Sequence, residues 1–382
     1  MTKKRILLVG MLDSIHFANW VERIIEPEIE VLVFPSRRYR KCHSKLIALE
    51  FSNPANLKIF NMIPNRKFSP FLEAFVEAFA IFLGLSDFRL NLFGHQLKRF
   101  SPTHIHALEV QSAGYLILNF FKKFGLNTKL IVTNWGSDLY FYSQFPQDRK
   151  KIVELLTITD AYSAECKRDY NLARELGFSG EELPLIPNSV SFLRSQLTKQ
   201  ISPSERTKRI VVKAYGGKFG LPIETITAVE KFLLLKSDYQ VLFYSVTKDV
   251  ERFISKLQIK FPNRISFITL AKGIPQDELW NIFLDSRIYL GMSISDGISS
   301  SFLEALALGL FPIQTGTSCA NEWVNLGAAA KIIDGSAESA FKALIEASDE
   351  IMKTDFSKPN LEIAIKFLDK EEISIKARSF YR

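Results

Sequence analysis

A chain of 382 residues has room for two domains of ordinary size, and a hydrophobic share of 47% with 24% charged residues excludes a disordered polymer. The most apolar long stretch, 68–93, is interrupted by Glu73, Glu77, Asp87 and Arg89, which argues against a membrane span. Cys42, Cys166 and Cys319 are scattered without metal-ligand spacing and suit reduced thiols in a cytoplasm. The net charge of +8 is unevenly placed, with 26 Lys and Arg against 19 Asp and Glu in residues 1–200 and 23 against 22 in the remainder. That excess suits either an anionic partner, such as a lipid leaflet or a phosphorylated acceptor, or plain solubility; nucleic acid is not an expected partner.

Lys3-Lys4-Arg5 leads into a short apolar run without a small-residue cleavage site, so the opening reads as a strand, Lys4–Gly10, and not as a signal peptide. A helical pattern, Ser14–Ile25, follows, with Asp13 or Ser14 as its cap. Glu30–Phe34 and Leu57–Asn61 are further strands. A basic, aromatic stretch then begins at Arg66, Lys67 and Phe68, in which Phe68, Phe71, Phe75, Phe79 and Phe82 share one helical face. Such a stripe is more commonly core packing; the sharper reading is a peripheral membrane contact, since aromatics beside Arg and Lys suit a headgroup boundary.

His104–Ala107 reads as a short strand, followed by a helix entered through Glu109–Tyr115. Lys129–Thr133 is a strand with Asn134-Trp135-Gly136-Ser137-Asp138 at its carboxyl end, Thr157–Ser163 another, and a helix from Glu165 ends at Gly177. The polar segment 191–209 reads as a linker between a domain at 1–190 and a second at 210–360. In the second, strands at Ile210–Tyr215, Gln240–Ser245, Ile265–Ile268, Ile288–Met292, Phe311–Thr315 and Lys331–Ile333 alternate with helical stretches, which predicts a doubly wound sheet.

The segment from Ser293 to Ile313 is the most informative. It reads as a loop leaving a strand, a helix capped by small polar residues and ended by Gly309, and a new strand. Unpaired N–H groups at Ser299, Ser300 and Ser301 then face any bound anion, and Glu304, one turn further in, is placed to accept hydrogen bonds from a sugar diol. Asp296 lies eight positions earlier, at the mouth of the loop. Upstream, Lys213 and the turn Gly216-Gly217-Lys218-Phe219-Gly220 offer close backbone approach at Gly217 and cations to neutralise a diphosphate. No Asp-x-Asp pair occurs in the chain, so neither a metal nor a bound cofactor is expected; helix N-terminus and lysines supply the positive charge.

Asp296, seven residues, Glu304, then Ala305-Leu306-Ala307, Gly309 and Pro312 resemble the signature of family 4 glycosyltransferases of GT-B fold. His104-Ile105-His106-Ala107 and Pro187-Asn188-Ser189-Val190 add to the resemblance, although Asp296 stands where relatives usually have Glu and Lys213 where they usually have Arg. The resemblance implies two Rossmann-like domains facing a cleft, with residues 361–382 returning to the first. It implies a metal-independent, retaining transfer from a nucleotide-sugar donor to a glycan or polyprenyl-linked acceptor in bacterial surface-glycan assembly, in the cytoplasm or on the inner face of the plasma membrane. Glu304 would bind the ribose, Asp296 lie near the donor sugar, and Lys213 and Lys218 hold the leaving diphosphate. His106 would contact the transferred sugar or the acceptor, Asp138 position an acceptor hydroxyl, and His16, in the first loop, help to bind donor or acceptor. Two alternatives stay open: a nucleotide-sugar 2-epimerase of the same architecture, and a non-catalytic subunit that binds nucleotide sugar or lipid.

Overall fold

In a computed structural model, which describes residues 3–38, 41–62, 69–85, 87–188, 190–197, 201–349 and 353–382, the chain forms two parallel sheets in two compact units. The first unit comprises residues 1–189 and 373–382, the second 190–372. The first runs β1 (Lys4–Gly10), α1 (Ile15–Ile24), β2 (Ile29–Pro35), α2 (Ser44–Ser52), β3 (Leu57–Ile59), α3 (Ser69–Phe82), α4 (Phe88–Phe100), β4 (His104–Leu108), α5 (Tyr115–Phe124), β5 (Lys129–Thr133), α6 (Pro146–Thr157), β6 (Ala161–Ser163), α7 (Lys167–Glu175) and β7 (Glu181–Glu182). Its strand order is β3-β2-β1-β4-β5-β6-β7. The second unit runs α8 (Arg194–Leu197), β8 (Thr207–Lys213), α9 (Pro222–Leu235), β9 (Gln240–Val246), α10 (Lys248–Lys260), β10 (Ile265–Thr269), α11 (Gln276–Leu284), β11 (Ser286–Gly291), α12 (Ser300–Leu308), β12 (Phe311–Thr315), α13 (Ala320–Asn325), β13 (Lys331–Ile333), α14 (Ala337–Asp349) and α15 (Ser357–Phe367). Its order is β10-β9-β8-β11-β12-β13, and α16 (Lys370–Ser379) leads out of it.

Each sheet is covered on both faces, which is why its strands read as unbroken apolar runs. Leu7 and Val9 of β1 enter one core and Ile6 and Leu8 the other; Ile210 and Val212 of β8 are likewise separated from Val211. Where strand order reverses, between β1 and β4 and between β8 and β11, neighbouring connections leave to opposite faces and open a crevice beyond the carboxyl ends of the strands. Gly10 ends β1 at one such point. A side chain there would run into the Phe17 ring, which packs α1 against the strand.

Four expectations are corrected. Segment 191–209 is not a solvated linker: Phe192 and Leu197 are buried, and the Arg206 guanidinium lies inside, donating to the Leu308 carbonyl at 2.9 Å and the Ser286 carbonyl at 3.3 Å. The returning segment is 373–382 rather than 361–382, because Ile363 and Ala364 of α15 pack with Leu303 and Leu306 in the second unit. Residue 157 ends α6, so the expected strand there shrinks to Ala161–Ser163. The phenylalanine stripe is not core: Phe71, Phe75, Phe79 and Phe82 of α3 are exposed, while Arg66, Lys67 and Phe68 lie outside the described residues. No helix among the described residues is long and apolar enough to cross a membrane.

His106 is also reassigned. It is wholly buried in β4, and both ring nitrogens are engaged, Nδ1 with the Tyr381 hydroxyl and Nε2 with Thr133 Oγ1, each at 2.7 Å. Trp20 Nε1 donates to the same Tyr381 oxygen at 3.2 Å, so indole, phenol, imidazole and the Thr133 hydroxyl form one buried network. No face is left for a sugar. Burial holds the imidazole neutral, its pKa lowered to about 3, with His104 adding to the shift.

A histidine with a lowered folded-state pKa contributes stability above its unfolded value near 6.5, and that contribution falls as pH drops towards the folded value. The stability advantage of the wild type over His106→Gln should therefore shrink by about 2 kcal/mol between pH 7 and pH 5, as read from urea unfolding at the two pH values.

Candidate functional site

The crevice of the second unit is built from the loops that follow β8 and β11. These strands pair in parallel, Lys213 beside Gly291, and their loops remain tied through the Ile294 amide donating to the Phe219 carbonyl at 2.9 Å. A bridge between Gly220 and Ser293 holds the glycine-rich turn against the serine loop. From the third side, Ser293 N–H donates to Thr315 Oγ1 at 3.1 Å and Thr317 Oγ1 to the Ser293 carbonyl at 2.6 Å.

Helix α12 starts in this crevice. Ser299 is its N-cap, its hydroxyl accepting from the Phe302 amide at 3.4 Å, and Ser300 and Ser301 form the first turn at the positive end of the helix dipole. The helix closes at Gly309 with φ 79°, a conformation that favours glycine; a side chain there would also strike the Arg206 guanidinium. Sequence and structure agree on this cap-to-cap span.

Glu304 projects from α12 with 7% of its surface exposed. Oε1 accepts from Gln276 Nε2 at 3.1 Å and from Trp280 Nε1 at 3.0 Å, two residues one turn apart on α11. Oε2 accepts nothing from the described residues. Burial raises the carboxyl pKa, against which the Trp280 and Gln276 hydrogen bonds and the charge of Lys213 act. Beneath it lie the fully buried Tyr244 and Tyr289, whose hydroxyls burial keeps protonated. Neither the donors on α11 nor these tyrosines were singled out from sequence. The only local signal was the i, i+4 spacing of Gln276 and Trp280.

Lys213 ends β8 on the same face as Val211, towards Glu304, with its ammonium 5.3 Å from the Tyr215 ring centre. Lys218 is exposed on the glycine-rich turn, 5.8 Å from the Phe219 ring centre. Gly217, at φ 67°, directs its N–H to Asp249 Oδ2 at 3.3 Å, and Gly216 directs its own to Thr247 Oγ1 at 2.9 Å. The positive groups that this turn presents are thus its lysine rather than the Gly217 amide. Asp296 is half-buried, its Oδ1 accepting from the Gly297 amide at 2.9 Å, and its charge, after burial, pushes the Tyr215 hydroxyl up. Asp296, Ser299, Ser300, Ser301, Glu304, Lys213 and Lys218 are therefore all brought to the carboxyl end of β8 and β11.

The first unit has a corresponding crevice between β1 and β4. His16 is exposed at its edge, its ring edge-on to Trp135 with centres 6.2 Å apart, and Ser14 caps α1 by accepting from the Phe17 amide at 3.5 Å. Asp138 does not face solvent as an acceptor-binding group would. It is buried, and Oδ2 accepts from the Val110 and Trp135 amides at 2.9 and 3.0 Å, fastening the loops after β4 and β5 together. Glu109 was not singled out from sequence, yet it sits at φ 91°, ψ 150° before a π-helical turn, Val110–Gly114, whose Ser112 and Ala113 amides donate to its carboxylate at 2.8 and 2.6 Å. Strained backbone and a π turn concentrate at working sites. Burial raises the pKa of both carboxyls, and the Glu109 charge raises Asp138 further.

Two all-parallel, doubly wound units in one chain, each with a crevice at its switch point, define the GT-B fold. Among solved structures that share it are sucrose-phosphate synthase from Thermosynechococcus elongatus (13% identity, TM-score 0.72, 100% of this chain and 98% of that one) and Anabaena HepE in complex with UDP (11%, 0.69, 98% and 99%). A glycosyltransferase from Rickettsia africae is similar as well (14%, 0.67, 100% and 98%). No protein-family model and no curated protein sequence matches the chain.

Replacing Trp280 by Phe keeps its packing on Phe192, 4.7 Å between ring centres, and removes one donor from the buried Glu304 carboxylate. Trp280→Phe should lower stability by about 1–2 kcal/mol, measured by urea unfolding with the far-UV spectrum unchanged.

Proposed function

We propose that this chain is a glycosyltransferase that binds a nucleotide diphosphate sugar in the crevice of its second unit and passes the sugar to a glycan or lipid-linked saccharide. The observation that carries the reading is the state of Glu304: one oxygen is clamped by Gln276 and Trp280, and the other accepts nothing from the described residues, in a position to take the hydrogen bonds of a ribose diol. The donors on α11 fix the carboxylate before any ligand arrives, so little ordering is left for binding to supply.

With the ribose on Glu304, the diphosphate reaches the N-terminus of α12, where the Ser300 and Ser301 amides and the dipole favour negative charge. Lys218 and Lys213 add cations on the side of β8. When the bond from the anomeric carbon to the diphosphate oxygen breaks, negative charge grows on that oxygen, and these groups stabilise it without a metal. Asp296, beside Tyr215, lies next to the sugar. His16, exposed in the first turn of α1, is the first unit's candidate for binding donor or acceptor. Family 4 resemblance supports retention at the anomeric carbon and a place in surface-glycan assembly.

HepE has been solved with UDP and with UDP-glucose, which makes uridine diphosphate the first ligand to try. UDP should raise the melting temperature of the wild type, since it binds the folded state. Glu304→Gln should weaken UDP binding by about tenfold to a hundredfold, read by calorimetry, while its own melting temperature stays within a few degrees. Unchanged affinity in that variant would remove the reading, and release of an epimerised UDP-sugar without acceptor would replace it with an isomerase.

A further inference from the structure

Helix α3 is turned the opposite way from an ordinary surface helix. Between residues 71 and 85 every exposed side chain is apolar, and the acidic residues of the segment point inward. Phe71, Phe75, Phe79 and Phe82 are 72, 65, 50 and 84% exposed, continued by Leu83 and Leu85, while Glu73 and Glu77 are 0 and 2% exposed. The rings form a file, Phe75 on Phe79 at 6.2 Å and Phe79 on Phe82 at 6.4 Å between centres.

Water alone does not favour this orientation. Burying two carboxylates is costly unless they are paired, and exposing a file of phenylalanines gives up the stabilisation that burying each ring would bring. The pairing is present: Arg89 donates to both oxygens of Glu77 at 3.0 and 3.1 Å and to the Pro35 and Arg37 carbonyls, and Glu73 Oε1 accepts from the Met62 amide at 2.8 Å. These bonds fix which face of α3 looks out. A contiguous apolar patch on a protein surface marks something that covers it.

We propose that this face docks on an anionic phospholipid bilayer, with the phenylalanines in the headgroup and upper acyl region. The charges at its edge decide the occupant. Arg37 and Arg38 follow β2 and are exposed, and Arg38 lines a cavity of about 430 Å³ beside α3 together with two ion pairs, Arg89–Glu77 and Lys123–Asp87, so the net positive charge of this edge rests on Arg37 and Arg38. Anionic headgroups attract and neutralise such cations near a charged leaflet. In a symmetric pair of copies, by contrast, the same basic edge meets itself. The inward turn of Glu73 and Glu77 removes the charges that an anionic surface would repel. The inference is independent of the transferase reading, since it concerns where the chain rests and not what it transfers.

The test is co-sedimentation of the full chain with vesicles of phosphatidylcholine alone and of phosphatidylcholine with phosphatidylglycerol. The wild type should pellet with the anionic vesicles and lose binding as salt rises; the doubly substituted Phe75→Ser, Phe79→Ser chain should bind about tenfold or more weakly. Arg37→Gln with Arg38→Gln should abolish the preference for anionic lipid. Phe75→Trp, which needs no loss of bulk, should show a blue-shifted emission increment when anionic vesicles are added. The inference is overturned if the wild type stays in the supernatant, if the serine substitutions leave binding unchanged, or if the patch instead holds a dimer that they dissociate.

Discussion

The working parts of this protein depend on one constraint of parallel sheets. Consecutive parallel strands need crossovers, and where crossovers on either side of a strand pair leave to opposite faces, the carboxyl ends of that pair stay uncovered. In the second unit the pair is β8 and β11, and Lys213, the glycine-rich turn, the serine loop and the start of α12 all lie at or follow the carboxyl ends of these strands. Gly217 in that turn directs its amide to Asp249.

The same constraint explains what could be read from the chain. Strands buried on both faces leave unbroken apolar runs, and a helix with a serine cap and a terminal glycine announces both its ends, so the span of α12 and the strand β12 were legible, while β11 begins two residues earlier and ends one earlier than expected. What a periodic pattern cannot say is which side of an element meets the protein. The phenylalanines of α3 lie on one face as their spacing requires, but the outward direction of that face is set by Arg89 and by the Met62 amide, neither of which is visible in the periodicity. His106 was misread for a related reason. Its fate is decided by Tyr381, 275 residues away. The polar composition of 191–209 likewise hid Arg206, whose guanidinium donates to carbonyls that only the folded chain assembles.

Both crevices share a second property: a buried carboxylate is held by neutral donors before any ligand is present. Glu304 is held from α11, Glu109 by the amides of its own π turn, and Asp138 by two loop amides. Each arrangement trades desolvation against preorganisation. In the first unit the carboxylates serve to shape loops; in the second, one oxygen is kept in reserve.

The Tyr381 hydroxyl that satisfies His106 and Trp20 belongs to a segment that follows the whole second unit in sequence. Domains ordinarily fold in the order in which they leave the ribosome. Here the first unit's core, which includes Ile373, Ala377, Phe380 and Tyr381, is closed only after the second unit has been made. Trp20 and His106 therefore stay without their Tyr381 partner until synthesis has passed residue 381, so the first unit's core is completed by residues made after the second unit.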